Sequence, residues 1–177
     1  MTKTTALILV TALLAAPAAG AGDPPASAAA GGETAAGAAF ERLKSLAGEW
    51  RGQTSAGKPA TLTYTVIAGG HTVMEEYRAG SAEQAMYTLY HLDGDQMMLT
   101  HYCVSNNQPR MRADLSGAPD EIRFAFFDAT NLADPNDGHM HRATIRFHDD
   151  DHISNAWTFR TKGEDAFTEF TDWERVR

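Results

Sequence analysis

The chain has 177 residues, a formal net charge of -8 and a single cysteine. The acidity excludes nucleic acid and anionic membrane surfaces as partners, since both demand a basic patch. One cysteine excludes an internal disulfide, and in an oxidising compartment a lone thiol is either buried and inert or poised for chemistry.

At the N-terminus, Lys3 precedes an apolar run from Ala6 to Ala16, and Ala19-Gly20-Ala21 fits the small-x-small pattern of a signal peptidase site. The run is too short to cross a bilayer core, which takes about 20 apolar residues, and no later stretch is long enough either. The sequence therefore predicts a signal peptide over residues 1–21 and an exported protein, periplasmic or secreted, with no integral membrane segment once the signal is removed. Removing Lys3 makes the mature chain one unit more acidic. The cysteine is Cys103, far from the signal, so a thioether-linked lipid anchor is excluded.

Residues 22–39 are mostly Ala, Gly, Pro and Ser, with too little apolar bulk to offset the entropy of ordering, and read as a disordered tether. The folded domain is expected over residues 40–177, a size that supports one core. Phe40, Leu43, Leu46 and Ala47 recur at helical spacing, which predicts a short helix covering one end of the domain.

From Gly48 the period changes to two. Ten strands are predicted: Gly48 to Gln53, Ala60 to Ile67, His71 to Ala79, Gln84 to His91, Gln96 to Val104, Pro109 to Leu115, Glu121 to Asp128, His139 to Phe147, His152 to Arg160, and Ala166 to Arg175. Short joints such as Gly69-Gly70, Asp93-Gly94-Asp95, Asp149-Asp150-Asp151 and Lys162-Gly163 are hairpin signals. Sequential strands with tight turns make an antiparallel meander, and closing it removes the two exposed edges. The expected fold is all-β, an up-and-down antiparallel barrel of about ten strands with a short N-terminal helix. Alternation supports closure: Ala143, Ile145 and Phe147 share one face of their strand, and Arg142, Thr144 and Arg146 the other.

Leu46-Ala47-Gly48-Glu49-Trp50-Arg51-Gly52 resembles the G-x-W signature of calycin-type barrels such as lipocalins, fatty-acid-binding proteins and the haem-binding nitrobindins. The runs Tyr90-His91-Leu92-Asp93-Gly94-Asp95, Thr100-His101-Tyr102-Cys103 and Asn107-Gln108-Pro109-Arg110-Met111, with Gly69-Gly70, resemble exported bacterial lipocalin-like proteins known only as a domain of unknown function. The resemblance spans the whole predicted domain and implies the barrel without implying a substrate. The more distant likeness to nitrobindins implies a histidine as a haem ligand, at no particular position of this chain.

The densest chemistry lies between Met97 and Met111, which holds His101, Cys103, Asn106, Asn107, Gln108 and Arg110. Leu99, His101 and Cys103 share a strand face expected to point inward. By the same parity, His139 and His141 should share the inward face of Ile145 and Phe147, so that four metal-competent side chains would converge across the lumen. Neighbours on one strand face lie about 7 Å apart, too far for His101 to serve as the hydrogen-bonded base of Cys103, so a nucleophile pair would need Cys103 with His139 or His141. His101, Cys103, His139 and His141 together would suit zinc or copper, and one histidine alone would suit haem.

The expected pocket comprises His101, Cys103, Asn107, Gln108, His139, His141 and Trp157, and the expected work is non-covalent binding of a small, mainly apolar molecule in the lumen. Three alternatives stand beside it. One is a haem- or metal-binding barrel, with or without enzymatic activity; another is a cofactor-free isomerase or hydrolase with a buried histidine as base; the third is a filled barrel with a structural or interaction role. Asp134-Pro135-Asn136-Asp137-Gly138 lacks the spaced carboxylate of a calcium loop and reads as a turn.

Overall fold

A computed structural model describes residues 34–80 and 84–177; the predicted signal peptide (residues 1–21) and residues 22–33 of the predicted tether lie outside the described residues. The first element, α1 (Ala35–Lys44), starts earlier than the apolar spacing indicates. Thr34 caps it, its side-chain oxygen accepting from the Gly37 N–H at 3.0 Å, and the alanines that follow have the highest intrinsic helix propensity. The last five residues assigned to the tether are therefore helical, with Ala36 buried.

Ten strands follow: β1 (Gly48–Gln53), β2 (Pro59–Ile67), β3 (Thr72–Ala79), β4 (Met86–Asp93), β5 (Gln96–Tyr102), β6 (Gln108–Asp114), β7 (Glu121–Thr130), β8 (His139–Phe147), β9 (His152–Thr161) and β10 (Glu164–Arg175). Each pairs antiparallel with the next, and β1 pairs with β10, so the sheet closes into an up-and-down barrel. The predicted strands are all present, with their ends shifted by a few residues. β5 stops at Tyr102 rather than Val104 because the Cys103 N–H turns to the Asn107 carbonyl at 3.2 Å, and Asn106 takes up the positive φ of the turn. Among the described residues, no helix is long and apolar enough to cross a membrane.

The antiparallel order sets the two ends of the barrel apart. At one end lie the β2–β3, β4–β5, β6–β7 and β8–β9 turns together with α1, whose Phe40 and Leu43 are buried and whose Arg42 donates to the Pro119 carbonyl. Trp50 is fully buried there, donates its indole N–H to the Leu46 carbonyl at 2.8 Å, and carries the Arg175 guanidinium over its ring, 4.2 Å from the centroid. Arg175 also donates to the Ala47 and Ser45 carbonyls, so a single side chain ties the last strand to the helix exit. Above this plug, Leu62, Tyr64, Tyr90, Met97, Leu99, Met111, Phe124, Ile145 and Ile153 fill the lumen. The opposite end, ringed by the β1–β2, β3–β4, β5–β6, β7–β8 and β9–β10 connections, carries the side chains of interest.

Candidate functional site

The inward face of β3 reads Val73, Glu75, Tyr77, an acid between two apolar positions. Glu75 is 3 % exposed, and burial raises its carboxyl pKa, opposed by its hydrogen bonds, the one from Tyr90 foremost. Tyr90 donates to Glu75 Oε2 at 2.7 Å, and Thr88 donates to Oε1 at a longer 3.4 Å. The register places these groups together, since Glu75 pairs with Thr88 across β3 and β4, and Thr88 with His101 across β4 and β5. Burial followed by the nearby Glu75 raises the phenol pKa of both Tyr64 and Tyr90 well above the usual value.

His101 is 4 % exposed, and burial brings its pKa down to about 4, so the imidazole is neutral at neutral pH. Its Nδ1 lies 3.0 Å from Thr88 Oγ1. Thr88 has one proton to give and donates it to Glu75 Oε1, so at its other contact it accepts from His101 Nδ1–H. That assignment leaves Nε2 as a bare lone pair, and Nε2 is buried with no partner. The Glu75–Thr88–His101 chain thus turns a lone pair toward the open end. Glu75→Gln is expected to reverse it: the amide N–H donates to Thr88, Thr88 donates to Nδ1, and the imidazole proton moves to Nε2. Nitrogen-15 NMR of His101 reads the tautomer directly, and the same protonated nitrogen in both proteins would remove Thr88 as the link.

Beside His101 is a cavity of about 60 Å³, lined by Glu75, Tyr77, Met86, Met140, Asn155, Trp157, Glu169 and Thr171 as well as His101 itself. Trp157 reaches across the lumen from β9 to stack on His101, with ring centroids 4.8 Å apart. Glu169 is fixed at the wall by Ser55, whose N–H and hydroxyl donate to its two oxygens at 2.6 and 2.7 Å.

Of the expected pocket residues, His101 and Trp157 line this cavity and the others do not. Cys103 lies beyond the end of β5, half-buried in the turn. Asn107 is buried and donates to the Gly138 carbonyl at 2.7 Å, bracing the β5–β6 turn against the loop before β8. Gln108 accepts from the Thr130 hydroxyl at 2.6 Å, between β6 and β7.

His139 and His141, expected on the inward face of Ile145 and Phe147, do not line the His101 cavity, for a local reason. A register shift between Met140 and Arg142 inserts a bulge in β8. Parity breaks there, Met140 lines the cavity, and the two histidines pack on Phe126 instead, with centroids 4.5 and 5.3 Å from its ring. They meet each other, His139 Nε2 to His141 Nδ1 at 3.2 Å, while His139 Nδ1 donates to the Asp137 carbonyl at 2.8 Å. Burial lowers the His141 pKa, helped by the positive charge of Arg160, and His141 sits near Arg142 and Asp165 rather than His101.

The four proposed metal ligands are therefore not brought together, and among the described residues no group of three or more His, Cys, Asp or Glu is placed to hold a metal ion. Haem fares no better. A cavity of about 150 Å³ is what benzene occupies, and about 60 Å³ leaves no room for a porphyrin over His101.

Thr88, Met140 and Glu169 are the site residues that sequence patterning passed over, and Glu75 was legible only as a candidate buried hydrogen-bond partner for a histidine. Glu75 had a signal, a carboxylate on an otherwise apolar strand face; Met140 had none, since the bulge is invisible to a period-two reading.

No protein-family model matches the chain, and no curated protein is similar to it in sequence. Among solved structures, it is similar to Rv2717c from M. tuberculosis, with a TM-score of 0.54 and 17 % identity over 78 % of this chain and 98 % of that one. It is also similar to a protein of unknown function of the DUF3598 family from Nostoc punctiforme, with a TM-score of 0.51 and 14 % identity over 76 % of this chain. The match spans 49 % of that protein's length. At these identities the likeness is one of fold alone.

Proposed function

We propose that the chain is an exported, lipocalin-like barrel that binds a small, mainly apolar molecule at the open end of its lumen, against His101 and Trp157. One observation carries this reading: a buried imidazole nitrogen with no partner faces a cavity otherwise walled by Met86, Met140, Tyr77 and Trp157. An unpaired buried polar atom costs about 1 to 3 kcal/mol, and a bound molecule that donates to it recovers that loss. The filled lower lumen limits the bound portion to a few heavy atoms, with any longer body leaving through the mouth. Export accords with the sequence of residues 1–21, and the lipocalin-like assignment with the Gly48-Glu49-Trp50 run at the start of β1.

The test is native mass spectrometry of the mature protein purified from a periplasm, beside titrations with small apolar probes followed by Trp157 fluorescence. The expected result is an added mass, or a saturable fluorescence change, that weakens about tenfold or more in His101→Ala, the loss of a hydrogen bond in a desolvated site. Full binding in His101→Ala would sink the assignment of the site.

A further inference from the structure

We propose that the polar end of this cavity takes a protonated amine, so that the ligand is a small organic cation with a short apolar body. The inference rests on the reading of the lumen as a binding site and adds the chemistry of the ligand's head.

Two carboxylates, Glu75 and Glu169, line one cavity of about 60 Å³, and no lysine or arginine lines it among the described residues. Acidic side chains alone would say little. The independent observation is His101 Nε2, buried without a partner on a side chain that lines the same cavity. With Thr88 holding the proton on Nδ1, Nε2 only accepts, so the missing partner is a donor. An ammonium head is donor-only, with three N–H bonds to give. One would satisfy His101 and the rest would face carboxylate oxygen, with Tyr77 and Trp157, aromatic residues of the kind that attract cations, lining the same cavity.

Other heads fit less well. A carboxylate or phosphate meets two acids and a lone pair with no cation to receive it. An alcohol satisfies Nε2 but makes no use of the Glu169 charge, which Ser55 keeps at the wall. Glu75 gains as well: its buried carboxylate has hydroxyl donors and no cationic partner, and an ammonium supplies one.

The experiment compares propylamine, protonated at neutral pH, with 1-propanol and propionate, which share its length and differ in the head. Binding is read by NMR at the His101 imidazole and the Trp157 indole of the full chain. The expected result is an affinity for propylammonium about tenfold above that for propanol, the margin of a charge-assisted hydrogen bond, with no response to propionate. Glu169→Gln should remove most of that preference. Ser55→Ala, which removes the hydroxyl bond to Glu169 but keeps the backbone bond and the charge, should retain the preference. Propanol or propionate binding as tightly as propylammonium, or an undiminished preference in Glu169→Gln, would overturn the amine and leave the lumen reading standing. Silence of both reporters to all three probes would overturn both.

Discussion

Wild-type protein and a His101→Gln variant are expected to diverge in stability as the pH falls from 7 to 4, with the wild type losing about 3 kcal/mol relative to the variant. The sign follows from linkage. In the unfolded chain His101 takes a proton near its ordinary value of 6.5, whereas in the fold burial delays protonation to about 4. Between those values the unfolded state holds the extra proton, so stability falls as pH drops through the window. A separation of about two and a half units at roughly 1.4 kcal/mol each gives the magnitude. Glu75 works in the opposite sense, because burial raises its pKa; over the window above 4.5 its contribution to stability grows as pH falls. The wild-type curve alone mixes the two, which is why the difference from His101→Gln is the quantity to measure. Glutamine keeps an acceptor or donor for Thr88 and has nothing to titrate. Urea unfolding at a series of pH values provides the comparison, and parallel curves would mean that His101 titrates as it does in water.

Gly52→Ala is the second large effect. The barrel closes through β1 and β10, which pair only at Trp50 with Arg175, Arg51 with Glu174, and Gly52 with Trp173. A Cβ on residue 52 would stand 2.4 Å from the Asp172 carbonyl oxygen and 2.9 Å from the Trp173 ring. The first of these is backbone and cannot rotate away, so relief requires the seam to part. Overpacking of this kind costs about 3 kcal/mol. The loss should appear in chemical denaturation, with a change in the near-ultraviolet signal of the buried Trp173 and Trp50. A cost below about 0.5 kcal/mol would show that the seam yields easily.

The composition of each strand determined much of this protein. Alternating apolar and polar residues between glycine- and aspartate-rich turns leave a meander of ten strands little choice, because each strand must bury one face and closure disposes of the edges. The apolar spacing of Phe40 and Leu43 likewise specified a helix over one end, although its start at Ala35 depended on the Thr34 cap. The sequence favoured the Leu99 and His101 face of β5 as the inner one without deciding it, because Met98 and Tyr102 make the other face apolar too; in the structure Met97, Leu99 and His101 are all buried.

The composition of the site was decided by the tertiary structure. A bulge of one residue in β8 sent His139 and His141 to Phe126 and put Met140 in the cavity. The turn after Tyr102 took Cys103 out of the strand face it nominally shares with His101. Glu75, Thr88 and His101 lie 13 residues apart in sequence at each step and meet only through strand register. Trp157 reaches His101 from the far wall. Periodicity along one strand carries no information about register between strands or contacts across a lumen, since both are settled by how the closed sheet packs.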